Sequence, residues 1–247
     1  MTAFRLLAGI YLMLVLAMPM TVHADLKSIL DGVVKSNLGQ GGDGALSEET
    51  IAAGLKDALT VGVDRAVALL GQTGGFLDDP AVRIPLPDTL QSAEKALRVA
   101  GQGAIADEFV QTMNRAAEQA VPETVSILSD TIGNMTLDDA KQILNGPDDA
   151  ATQYFRSRNE ARLNEAIRPI VQDATERTGA TAAYKRLTAG TGGLLSQLGM
   201  GDSLDLDTYV TDEAMNGLFL KLAEEEKRIR EDPLARSTDL LKSVFAN

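Results

Sequence analysis

The sequence predicts an all-α fold, a compact multi-helix bundle that follows a signal peptide. Three observations carry that expectation. Apolar residues recur at steps of three and four along most of the chain, which is the spacing of one helical face. No stretch sustains the alternation of apolar and polar residues, rich in β-branched side chains, that a strand shows. Glycines, prolines and capping residues interrupt the apolar stripes at intervals of about one helix.

Residues 1–24 read as a leader. Met1–Arg5 carries one positive side chain, Leu6–Met18 is apolar, and Val22-His23-Ala24 supplies a small-residue end. Thirteen apolar residues at ~1.5 Å rise each fall short of a hydrocarbon core of about 30 Å, so cleavage after Ala24 is expected rather than anchoring. Residue 25 is Asp, with no cysteine at the cut to carry a lipid. The expected product is a periplasmic protein without a transmembrane helix.

Residues 25–44 are expected to form an N-terminal amphipathic helix and a linker. Leu26, Ile29, Leu30, Val33, Val34 and Leu38 share one helical face, and Gly39-Gln-Gly-Gly-Asp-Gly44 breaks it. Residues 45–247 then read as a single helical domain. Ser47 caps a helix through Ile51, Leu55, Leu59, Val63, Val67 and Leu70, which ends at Gly71. The three prolines of residues 76–87 predict an extended loop packed on the helices.

Further helices follow in close succession. Asp88 is expected to cap one ending at Gly101, and another runs from about Ala104 to Ala120. Pro122 suits the first turn of a third. Thr136-Leu-Asp-Asp139 resembles a capping box, opening a short helix that stops at Asn145-Gly146-Pro147. Asp148 is expected to cap the next, which continues through Leu163, Ile167 and Ala174 despite Pro169. A shorter helix covers Ala182–Leu187 and is followed by a Gly-rich loop. Thr211 is expected to cap a long final helix through Ile229, with an interruption at Pro233 and a closing turn at Leu241, Val244 and Phe245.

Composition excludes more chemistry than it suggests. The chain has 23 basic and 35 acidic side chains, and cleavage would remove only Arg5, taking the net charge from −12 to −13. Such a field repels phosphate backbones and anionic lipids, so nucleic acid is not an expected partner. There is no cysteine, and the single histidine is His23, inside the leader. A mature chain without imidazole or thiol has no Ser-His-Asp or Cys-His nucleophile, thiolate zinc site or His- or Cys-ligated haem, and no cofactor is expected. Ser92-Ala-Glu-Lys95 has the S-x-x-K spacing of penicillin-recognising enzymes but lacks their companion motifs. The pairs Asp78-Asp79, Asp138-Asp139 and Asp148-Asp149 sit where capping explains them.

Two polar clusters stand out. Asn114, Arg115 and Glu118 lie within one turn, with Arg115 and Glu118 expected opposite the stripe of Ile105, Phe109 and Met113. Asp148, Asp149, Tyr154 and Arg156 join acids, a phenol and a guanidinium within three turns. These seven residues are the candidate ligand-binding set, with Arg115 and Arg156 as bidentate donors to an anionic or zwitterionic ligand. Glu224–Arg228 and Glu226–Arg230 read as ion pairs on a solvated face.

The stretches VRIPLPDTLQSAEKALR, MNRAAEQAVPE, GPDDAATQYFR and YVTDEAMNGLFLKLAEEEKRIR resemble the bacterial family designated domain of unknown function 4197, over about residues 45–246. The resemblance implies an exported helical protein and carries over no catalytic residues. Many members look like lipoproteins, from which Asp25 departs. The expected function is therefore non-catalytic: a periplasmic helical module binding an envelope ligand or protein. The alternative is a carboxylate-based enzyme of the cell envelope, with or without a divalent metal, drawing on Glu118, Asp148 and Asp149.

Overall fold

The computed structural model describes residues 47–190 and 205–231, all within the unit Leu46–Asn247. The leader, the Leu26–Leu38 helix with its linker, the 191–201 loop, the Pro233 interruption and the closing turn lie outside the described residues. Among the described residues the regular structure is helical and contains no strand.

Helix α1 spans Glu48–Gly71 and starts as expected, with the Ser47 hydroxyl accepting from Thr50 N–H. A 3₁₀ turn at Asp88–Leu90 leads into α2 (Gln91–Val99), and α3 covers Gly103–Ala120. A second 3₁₀ turn, Val121–Glu123, holds Pro122 and feeds α4 (Thr124–Gly133). Helix α5 (Leu137–Leu144) opens with the complete capping box: Thr136 Oγ1 accepts from Asp139 N–H, and Thr136 N–H donates to Asp139 Oδ2. Helix α6 (Ala150–Thr178) is the longest described, and α7 (Ala180–Gly190) follows it through Gly179 at φ 81°. Helix α8 covers Leu206–Glu231.

Three expected caps are corrected. Asp88 does not cap α2. The 3₁₀ turn precedes the helix, and Asp88 Oδ1 instead accepts from the Gln91 side chain at 2.7 Å. Asp148 does not cap α6. Asp149 holds the cap position without a side-chain cap bond, and the first amides are satisfied from α8. Thr211 lies inside α8, its hydroxyl donating back to Asp207 O at 2.6 Å, and Asp205 caps the helix through Thr208 N–H. Pro169 sits inside α6 at an exposed position, and Glu165, whose carbonyl it deprives of a donor, is exposed too.

Helix α3 is the hub. It packs on α1, α2, α6, α7 and α8, and Phe109, Met113, Ala116, Ala117 and Ala120 are fully buried along it. The alanines let neighbouring backbones approach closely, which is how a sequence poor in aromatics fills a core. Helix α8 packs along the same core through Val210, Ala214, Leu218 and Leu222, against α1 and α6. No helix among the described residues is long and apolar enough to cross a membrane.

The segment between α1 and α2 is the extended, packed loop that its prolines predict. Phe76 and Ile84 are fully buried, and Val82 and Leu86 nearly so. Gly75 is required at its turn: a Cβ there would lie 2.4 Å from the carbonyl oxygens of Leu69 and Leu70.

Candidate functional site

Two buried polar residues of α3, Asn114 and Glu118, serve this loop. Asn114 Oδ1 accepts from Ile84 N–H at 2.9 Å, and Asn114 Nδ2 donates to Ile84 O at 2.9 Å and to Val110 O at 2.7 Å. A buried backbone segment needs partners for both its groups, and the side-chain amide supplies the acceptor and the donor that a neighbouring strand would. One turn later Glu118 Oε1 accepts from the amides of Phe76 at 3.2 Å and Leu77 at 3.3 Å. Glu118 is 5% exposed, so the expected polar face opposite the Phe109–Met113 stripe does not include it.

Helix α8 grips the loop from the other side. The Tyr209 hydroxyl donates to Pro85 O at 3.0 Å, and Lys221 pairs with Asp79 at 2.7 Å. Phe76 packs into the space above Gly217, where an added Cβ would meet Phe76 Cε1 at 2.7 Å. Burial, with Glu213 and Asp88 nearby, pushes the Tyr209 phenol up to about 12. The hydrogen bond to Lys221 holds the Asp79 carboxyl below the usual carboxylate range.

A cleft of about 540 Å³ opens on the outer side of this clamp, lined by Gly71, Thr73, Arg115, Glu118, Gln119, Pro122 and Arg177. Arg115 is exposed, and no hydrogen bond or ion pair from a described residue reaches its guanidinium. Arg177, at the end of α6, uses Nε to pair with Asp173 at 2.8 Å. Only one oxygen of Glu118 is taken by the loop amides. The other accepts nothing from the described residues and is not sealed from solvent.

The second polar cluster lies elsewhere. Asp148, Asp149, Tyr154 and Arg156 do not line the Arg115 cleft. Asp148 is exposed, and Asp149 accepts from the Gln153 amide at 2.8 Å. The Tyr154 hydroxyl donates to Asp139 Oδ2 at 3.3 Å, and Arg158 lies over its ring. Burial and the Asp139 charge raise the Tyr154 phenol, whereas the bonds from Thr136 lower the Asp139 carboxyl. Arg156 pairs with Glu160 at 3.0 Å and stacks 4.2 Å from the Phe219 ring centroid, tying α6 to α8. The structure therefore joins Arg115 and Glu118 in one cleft, buries Asn114 beside it, places Tyr154 and Arg156 in contacts between helices, and leaves Asp148 exposed and Asp149 bonded to Gln153 within the first turn of α6.

Sequence reasoning missed Arg177 and the Glu226 network. Arg177 is distant in the chain from α3, and no local spacing marks it. Glu226 and Arg230 are not on a solvated face: their side chains are 6% and 17% exposed. Glu226 accepts from the amides of Ala151 and Thr152 and from the Thr152 hydroxyl, at 2.9, 2.9 and 3.0 Å, while Arg230 donates to it at 2.9 Å. The neighbouring pair is Arg228 with Glu225, not Glu224.

The four long motifs thus meet as one framework of loop, clamp and α6 cap. The pattern over residues 45–246 matches the family described as "Protein of unknown function (DUF4197)". The chain belongs to the DUF4197 family. No curated protein and no solved structure matches it. In this DUF4197 protein Ser92 and Lys95 are exposed along α2, and Asp130 pairs with Arg162 at 3.2 Å. Among the described residues no three carboxylates are grouped to hold a metal ion.

Proposed function

We propose that this DUF4197 protein is a non-catalytic binding module of the cell envelope, and that it takes a small organic anion in the cleft beside Arg115. The observation that carries the reading is the Arg115 guanidinium. In a chain with 35 acidic side chains it faces a cleft with no carboxylate partner, while Arg98, Arg158, Arg162, Arg168 and Arg186 are each paired at the surface. A planar fork of donors is suited to bidentate capture of carboxylate or phosphate. The volume of about 540 Å³ falls in the usual range for small-molecule sites, about 300–1,000 Å³.

Export is supported by the leader-like character of residues 1–24. Fractionation with amino-terminal sequencing tests it, the expected first residue being Asp25. The carboxylate-enzyme alternative needs Glu118, Asp148 and Asp149 in one pocket, and neither aspartate lines the cleft that holds Glu118.

A thermal-shift titration with acetate, succinate, citrate and phosphate tests the binding reading. A ligand that binds only the folded form raises the transition by mass action. The expected result is a dose-dependent rise for at least one anion that disappears in Arg115→Gln. Equal shifts in both proteins, or none in either, overturn the reading.

A further inference from the structure

The Arg115 cleft contains a negative charge as well as two positive ones, and resting on the anion-binding reading above, we infer that its ligand is an acidic amino acid. Three charged side chains line it: the guanidinium groups of Arg115 and Arg177, and Glu118. Thr73, Gln119, Gly71 and Pro122 are uncharged. The wall therefore presents a net charge of +1, split into two cationic points and one anionic point. Its complement carries two carboxylates and one ammonium, a net charge of −1.

Each point has bonding capacity to spare. The Arg115 guanidinium has no partner among the described residues. Arg177 commits Nε to Asp173 and keeps its two terminal nitrogens. Glu118 spends Oε1 on the Phe76 and Leu77 amides, which hold its carboxylate rigidly in place, and its other oxygen accepts nothing from the described residues. A carboxylate 5% exposed yet with an unused oxygen at a cleft wall suits an ammonium, because the cation repays part of the cost of burying the charge.

Spacing selects the α-amino acid class. Arg115 and Glu118 are three residues apart on α3, so their Cβ atoms lie about 5–6 Å apart on neighbouring turns. A ligand that meets both is suited by a carboxylate and an ammonium held close together, as the two groups bonded to one α-carbon are. Arg177 comes from a different helix and takes the second carboxylate at the far end of the side chain.

Calorimetric titration of the purified protein with L-glutamate and with glutarate, the same carbon chain without the ammonium, tests this. L-glutamate is expected to bind, with glutarate weaker by about tenfold or more, the effect of one charge-assisted hydrogen bond. Glu118→Gln keeps an oxygen for the loop amides and is expected to erase the difference between the two compounds. Circular dichroism verifies that this variant is folded, and the comparison of ligands on the unaltered protein does not depend on it. Glutarate binding as tightly as L-glutamate, both lost in Arg115→Gln, overturns the amino-acid inference and leaves the anion cleft standing. Binding of citrate or phosphate without either compound has the same meaning. Failure of every anion overturns both.

Discussion

Replacement of Glu226 by Ala is expected to be among the most damaging single changes outside the apolar core. The side chain satisfies the amides of Ala151 and Thr152 and the Thr152 hydroxyl, and it holds the anionic half of a pair with Arg230. Loss of a helix cap costs about 0.5–2 kcal/mol, and removal of one partner from a buried pair costs about 3–5 kcal/mol. The two penalties share the same carboxylate and do not add, so about 4 kcal/mol is expected for Glu226→Ala. Arg230→Met is expected to cost less, about 1–2 kcal/mol, because Glu226 keeps its three donors on α6. Urea denaturation followed by circular dichroism measures both, with the midpoint moving at constant m. Amide exchange adds a local readout, with Ala151 and Thr152 accelerating most in the Glu226 variant. The cross-helix cap is refuted if Glu226→Ala costs under about 1 kcal/mol, or if Arg230→Met costs as much.

Other outcomes follow from the same geometry. Asn114→Ala orphans both backbone groups of Ile84 and is expected to cost about 2–3 kcal/mol, with trypsin cutting faster at Arg83. Gly217→Ala places a methyl 2.7 Å from Phe76 Cε1 and is expected to cost about 1–3 kcal/mol by overpacking, read as a lower denaturation midpoint with unchanged helicity. Tyr209 has a folded-state value raised to about 12, so it stabilises below the ordinary phenol range and that stability is lost as pH rises from about 10 through 12. Alkaline unfolding in that window is expected to flatten in Tyr209→Phe, and tyrosinate absorbance titration checks the assignment. Asp79, Asp139 and Asp205 have lowered values, so their contribution is complete above the ordinary carboxylate range and is lost as pH falls through the lowered ones. Acid melts of Asp139→Asn are expected to show a weaker pH dependence there than the unaltered protein.

The legible part of this protein was the part written at short range. Helix α1 begins at Ser47 and α5 at the Thr136–Asp139 box because a cap is a contact over three residues, visible in one turn of sequence. The packed loop was legible from its prolines, which deny a central strand while Phe76, Val82, Ile84 and Leu86 demand burial. The caps that misled were local signals with a distant competitor. Asp148 looked like the start of α6, but a buried glutamate 78 residues later in the chain reaches the first amides. Thr211 looked like a cap, while Asp205 one turn and a half earlier already served α8.

What the sequence alone determined is the all-helical class, most helix positions and the family. It also shows that the chain has no cysteine and a single histidine, His23. These follow from periodicity and residue type, which are properties of the chain itself. Tertiary structure alone decided which polar residues were spent and which were left over. Asn114 looked like a ligand-binding residue and the Glu226–Arg230 pair like a solvated one, and all three are partners of distant backbone groups. Arg115 and Arg156 looked alike as candidate donors, yet Arg115 lines a cleft with Arg177 and has no partner among the described residues, whereas Arg156 is paired with Glu160. A side chain's role depends on whether folding brings it a partner, and that partner is set by packing between helices far apart in sequence.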